Sequence, residues 1–189
     1  ITDRIASAIS RLILQCNYAL DLHGVPLAIP YTFLPSLGSE NAKASARKMA
    51  EAHGVTILYL NEEYANEKRA CLNYASMQGI PSITCEFPEW RTWSERMVGV
   101  GVRGVRNVMK SLGMIDGAID KQDATVIDGP LHTVQLYAER GGVVHPEVKP
   151  GTEVKRGSVV VRTFNPWGEE VEVIEAPFDG YVLSYTMYY

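Results

Sequence analysis

The sequence predicts an α/β layer built on a mostly parallel sheet, followed by a small all-β domain. Over roughly the first 122 residues, amphipathic helical segments alternate with short, β-branched apolar runs. From Leu131 onward the helical period disappears, and short strand-like runs are cut by glycine and proline turn signals. The chain has 189 residues, 46% apolar and 21% charged. That is long enough for one large domain, or a medium one plus a small one, with a core that needs no disulfide or metal staple.

Ile1 to Cys16 places Ile1, Ile5, Ala8, Ile9, Leu12 and Ile13 at helical spacing and predicts an amphipathic helix. Tyr18 to His23 is a nearly continuous apolar run closed by Gly24, the pattern of a buried parallel strand. Val25 to Gly38 contains Pro26, Pro30, Pro35 and Gly38 and predicts a long loop. Ser39 to His53 predicts a second helix, with Ser39 as N-cap and Gly54 just past its end. Val55 to Leu60 follows as a strand. Asn66 to Gln78 is a helix capped by Asn66 and closed by Gly79, and Ile80 to Glu86 is a third strand. Thr92-x-x-Glu95 has the form of a capping box, opening a helix that runs to about Leu112 and stops at Gly113. A linker near Gly117 to Gly129 divides the chain into domains 1–122 and 123–189. In the second, Val159–Thr163 and Val171–Ile174 form a hairpin around Asn165–Gly168.

Composition excludes several functions. Lys and Arg number 18 against 22 Asp and Glu, a net charge of −4, so nucleic acid finds no electrostatic footprint. No apolar stretch approaches the roughly 20 residues of a membrane span. Val98 to Val108 comes nearest and is broken by Gly99, Gly101, Arg103 and Arg106. No leader pattern precedes the first helix. Cys16, Cys71 and Cys85 have neither metal nor redox spacing, and so sparse a set points to a reducing, cytoplasmic compartment.

Ligands of an open parallel sheet bind beyond the carboxyl ends of its strands. Two predicted strands end in chemically capable residues, Asp21-Leu22-His23 and Thr84-Cys85-Glu86. Neutral imidazole is a zinc ligand, and a carboxylate such as Glu86 can move a proton between water and a leaving group. Asp21, two residues before His23, shares its strand face and can fix the imidazole tautomer. On spacing alone the bland reading outweighs this one. A strand-end His is commonly structural, Glu86 can pair with Arg91 or Arg96, and one His with one Glu falls short of the three ligands of catalytic zinc. His53, in the last turn of a helix, reads as a cation on the helix dipole. Arg91, between Trp90 and Trp93, is a candidate substrate clamp. His132 and His145 lie in the β domain and read first as exposed strand or turn residues, with His145 beside Pro146 a second candidate for substrate contact and Tyr137, Glu175 and Tyr181 further residues able to reach the cleft. Gly99, Gly101 and Gly104 read as close helix packing rather than a nucleotide motif. Lys110 lies on a helix and so is not a biotin attachment site.

Several segments together resemble the succinylglutamate desuccinylase/aspartoacylase family of zinc carboxypeptidase-like amidohydrolases. They are Arg4-Ile-Ala6, Tyr18–Gly24 (YALDLHG), Ile80–Glu86 (IPSITCE) and Leu112–Gly117 in the first domain. In the second they are Gly141–Pro146, Val148–Gly157 and Glu175–Gly180. The resemblance implies an incomplete carboxypeptidase-like α/β/α sheet followed by a barrel-sandwich-like β domain. It implies a zinc cofactor, His23 as the third zinc ligand, and Glu86 as the residue that deprotonates water and then protonates the departing amine. Substrates would be small N-acyl amino acids or related amides. The family's His-x-x-Glu zinc motif and its Asn-x-Arg segment have no counterpart before His23. The chain therefore reads as the C-terminal portion of a longer enzyme, open to association with the missing N-terminal portion or with a second copy.

Two rival readings stand beside this one. A carboxypeptidase-like scaffold could bind a small ligand or partner without catalysis. The Val148-x-x-Gly151-x-x-Val154-x-x-Gly157 frame is similar to that of lipoyl and biotinyl carriers, but the tip Asn165–Gly168 holds no Lys. Intact-mass spectrometry should accordingly find the unmodified 20.9 kDa chain, and an adduct on a lysine would revive the carrier reading.

Overall fold

The computed structural model describes residues 2–58, 70–89, 92–122, 125–127 and 133–185. Its elements run α1 (Thr2–Ile13), β1 (Ala19–Gly24), β2 (Leu27–Ala28), β3 (Tyr31–Phe33), α2 (Glu40–His53), β4 (Thr56–Leu58), α3 (Cys71–Met77), β5 (Ser82–Phe87) and α4 (Glu95–Ser111). There follow β6 (Val126–Ile127), β7 (Val143–Pro146), β8 (Glu153–Val154), β9 (Val159–Phe164), β10 (Glu170–Glu175), β11 (Gly180–Tyr181) and β12 (Ser184–Tyr185). The chain forms two compact units. One comprises Ile1–Gly24, Pro30–Phe87 and Thr92–Thr133, and the other Val25–Ile29, Pro88–Arg91 and Val134–Tyr189.

The first unit is a sheet of order β1-β5-β3-β4-β6 with helices. β1 pairs parallel with β5, and β4 parallel with both β3 and β6, while β3 runs antiparallel to β5. The expected long loop at 25–38 is thereby corrected, because Tyr31–Phe33 is a central strand hydrogen-bonded on both sides and Leu27–Ala28 pairs with β12. Pro30 and Pro35 fall just outside the three residues of β3, so their missing N–H groups remove nothing from the ladder. β1 is corrected too. It is the sheet's edge among the described residues rather than a buried strand, and Leu22 is half exposed.

Alternation along the strands sorts their side chains onto two faces. Ile57, Ile83 and Cys85 pack with Ala46, Met49 and Ala50 of α2 and Val108 of α4 to form the core. The caps of α2 follow the sequence. The Ser39 side chain accepts from the Ala42 N–H, and Gly54 adopts φ 83°, its N–H donating to the Ala50 carbonyl. The cap of α4 is Ser94, not Thr92, its hydroxyl accepting from the Met97 N–H at 3.3 Å. Thr92 stands two residues too early, and Glu95 instead opens the first turn as an acid at the positive end of the dipole. α3 begins after Ala70, which has no capping side chain, rather than at Asn66, itself outside the described residues. α1 is amphipathic as expected, yet Ile5, Ile9 and Leu12 are exposed and only Ile13 is buried. No helix among the described residues is long and apolar enough to cross a membrane.

His53 is not the solvated cation its position suggests. It is 1% exposed, and neither ring nitrogen has a hydrogen-bond partner. It fits because residue 104 is glycine, where a Cβ would come within 2.3 Å of the imidazole. Burial, and then the charge of Arg103, lowers its pKa to about 4.

The second unit is all-β among its described residues, with β7, β9 and β10 forming an antiparallel sheet and β8–β11 and β2–β12 small ladders. Val154, Val160, Val161 and Ala176 form its core. The Asn165–Gly168 hairpin stands where the sequence places it. The Asn165 side-chain oxygen accepts from the Trp167 and Glu169 N–H groups, fixing the turn.

A His that titrates near 6.5 when unfolded and near 4 when folded binds its proton more readily in the unfolded chain. Its contribution to stability is complete above about pH 6.5 and is lost as pH falls toward 4, on the order of 3 kcal/mol across that window. Urea unfolding at pH 7 and pH 4.5 should show a drop for the native protein that His53→Leu reduces. Equal drops in both proteins would contradict the assignment.

Candidate active site

The site lies on the sheet face opposite the Met49 core. In the parallel register of β1 and β5, Asp21 stands beside Thr84 and His23 beside Glu86. In the antiparallel register of β3 and β5, Tyr31 stands beside Glu86 and Phe33 beside Thr84. Since paired residues share a face, Asp21, His23, Thr84, Glu86, Tyr31 and Phe33 line one surface. Tyr31 and Phe33 meet edge to face with centroids 5.0 Å apart.

Within this patch the imidazole lies between two carboxylates. His23 Nε2 is 3.1 Å from Asp21 Oδ1, and His23 Nδ1 is 3.4 Å from Glu86 Oε1. When Nε2–H donates to Asp21, the Nδ1 lone pair faces a carboxylate oxygen. Two acceptors so placed repel unless a proton or a cation lies between them. Glu86 is buried, and its other oxygen has no hydrogen-bond partner. Burial pushes its carboxyl above the ordinary carboxylate range, His23 pulls it down and Asp21 pushes it up. The Thr84 hydroxyl is likewise buried without a partner. Two unsatisfied polar groups, Thr84 and Glu86, stand side by side on the face that carries His23, an arrangement that packing alone does not call for.

The structure thus brings together Asp21, His23 and Glu86, the three residues on which the sequence reading rests. Arg91 lies outside the described residues, as do Trp90 and His132. His145 belongs to β7 in the second unit, exposed, with Nδ1 3.2 Å from Glu147 Oε1 and its ring against Phe164. Tyr31 escaped the sequence reading. The alternation Tyr-Thr-Phe was its only signal, and the flanking prolines masked it.

As to a metal, His23 fits as one donor, with Asp21 beside one ring nitrogen and Glu86 beside the other. Among the described residues no group of three or more His, Cys, Asp or Glu could hold an ion. This donor set by itself falls short of a zinc site.

The fold is that of succinylglutamate desuccinylase/aspartoacylase proteins. A succinylglutamate desuccinylase from Silicibacter sp. superposes with a TM-score of 0.85 at 21% identity, over 97% of this chain and 57% of that one. The product-bound ectoine utilization protein EutE (DoeB) from Ruegeria pomeroyi gives 0.83 at 20% identity, over 97% and 58%. A succinylglutamate desuccinylase/aspartoacylase from Rhodobacter sphaeroides gives 0.74 at 20% identity, over 93% and 55%. The chain therefore spans a little under three fifths of the length of these structures. No family model and no curated protein matches the sequence.

An ionised carboxylate costs more to bury than an amide of the same shape. Glu86→Gln should therefore raise the melting temperature at pH 7, by ~2–4 °C if the relief is about 1 kcal/mol. A fall on calorimetry would mean that Glu86 is a structural residue.

Proposed function

We propose that this chain carries part of the active site of a zinc-dependent deacylase, one that hydrolyses the amide bond of small N-acyl amino acids or related amides. The observation that carries the proposal is the Asp21–His23–Glu86 arrangement at the carboxyl end of β1 and β5, in a fold shared with proteins named succinylglutamate desuccinylase. His23 would hold the metal through the nitrogen that Asp21 leaves free, and further ligands would come from outside this sequence. Zinc bound there would polarise the amide carbonyl.

The chain's own residues then have defined parts. Asp21 keeps the proton on Nε2 and the ring in plane. Glu86, on the far side of the ring from Asp21, takes a proton from the attacking water and returns it to the departing amine nitrogen. A carboxyl whose pKa is raised by burial is suited to both transfers. Tyr31 and Phe33 give this end of the sheet an aromatic wall. The free state of Cys16, Cys71 and Cys85 supports a reducing, cytoplasmic setting.

The competing reading is a non-catalytic scaffold, and it draws on the single imidazole donor. Four measurements separate the two. The 189-residue chain alone should bind zinc weakly and hydrolyse no N-acyl amino acid. An in-frame His-x-x-Glu upstream in the gene should confer tight zinc binding and hydrolysis when expressed with the chain, and its absence would favour the scaffold. In the complemented protein, Asp21→Ala should weaken zinc about 10–100-fold. There, Glu86→Gln should lower kcat by about 10²–10⁴ while zinc stays bound. Full activity in Glu86→Gln would end the proposal.

A further inference from the structure

A second candidate site lies on α4, away from the residues used above. Gly99, Val102, Arg103, Arg106, Asn107 and Lys110 fall on one stripe of that helix and, with Asp120, line a cleft of about 310 Å³. The opposite wall is held in place. Asn107 is 1% exposed and bonds the backbone of Asp120 in both directions, its Nδ2 donating to the carbonyl at 2.8 Å and its Oδ1 accepting from the N–H at 2.9 Å. Lys110 Nζ donates to the Ala118 carbonyl at 2.7 Å, tying down the same segment. The cleft is open at Gly99, where a Cβ would meet nothing within 4 Å, so a larger side chain there has room to enter it.

The charges in this cleft are out of balance. Three cations face one carboxylate, and Asp120 Oδ1 already accepts from Gln122. Arg103 and Arg106 have no ion pair or hydrogen bond among the described residues. The Arg103 Nε is sealed from solvent with no acceptor. That guanidinium carries part of the desolvation cost of an ion pair without its counter-ion. Two guanidiniums one helical turn apart suit an oxyanion bound in bidentate fashion by each.

We propose that this cleft is a binding site for a phosphoryl anion, held by Arg103 and Arg106 against the wall that Asn107 anchors. It is independent of the deacylase reading and uses none of its residues.

The test is calorimetric titration of the full chain with inorganic pyrophosphate at fixed ionic strength. Far-UV circular dichroism checks that each variant is folded. Arg103→Gln and Arg106→Gln should each weaken binding about tenfold or more. Gly99→Leu retains both arginines, replaces a poor helix former and fills the cleft, so it should weaken binding as much. Lys121→Gln, outside the cleft, should stay within about twofold. Pelleting with phosphatidylglycerol vesicles distinguishes the source of the phosphoryl group. A response to free pyrophosphate alone assigns a soluble ligand. Pelleting that Gly99→Leu abolishes assigns a lipid headgroup. The proposal is overturned if neither probe binds, if Gly99→Leu binds like the native protein, or if Lys121→Gln costs as much as the arginine variants.

Discussion

Parallel strands paired in register set residues of one face side by side, and the pairing of β1 with β5 is the constraint on which the rest depends. It brings His23 beside Glu86 although 62 residues separate them in the chain. The same register places Leu22 beside Cys85, and Cys85 faces the Met49 core. Apolar burial on one face therefore holds the polar residues of the other in position. A slip of one residue would send Glu86 into the core and Cys85 into the site, so hydrophobic burial enforces the geometry of the chemistry.

Three situations stand out among the buried polar groups. Asn73, Asn107 and Ser82 are satisfied and structural. Asn73 accepts from the Ser36 and Leu37 N–H groups, Asn107 holds Asp120, and Ser82 donates to the Leu72 carbonyl at 2.6 Å. Glu86 Oε2 and the Thr84 hydroxyl are buried with nothing to bond. Thr84 and Glu86 forgo stability on the face that carries His23, whereas Asn73 and Asn107 gain it by pinning loops to helices. His53 is a third situation. It is unsatisfied but enclosed by Gly104 and Phe87, and its neutral form is accommodated by close packing.

Much of this was legible in the sequence because it rests on local chemistry. Ser39 and Gly54 delimit α2 through hydrogen bonds to their own helix, and the Asx turn at Asn165 needs only its next four residues. The Asp-Leu-His and Thr-Cys-Glu strand ends were visible through β periodicity alone. What escaped was decided by long-range packing. His53 has the sequence context of a helix-capping cation, and only the approach of Gly104, 51 residues later, makes it a buried neutral group. Thr92 and Ser94 are both favoured cap types, and the first turn of α4 selects Ser94. The edge position of β1 follows from which strands pair, a matter that an apolar run does not encode.

β3 carries a consequence of another kind. Its three residues alternate between faces, with Tyr31 beside Glu86, Thr32 bonded to Cys85 through its hydroxyl at 3.4 Å, and Phe33 beside Thr84. Shortening the stretch between Gly24 and Tyr31 by one residue would present this alternation out of phase. The aromatic rings would be driven toward Met49 and the threonine hydroxyl toward Glu86. Surface connections ordinarily tolerate changes of length. Here the stretch richest in proline, the most loop-like in the chain, serves as a spacer whose parity is fixed by the strand it feeds.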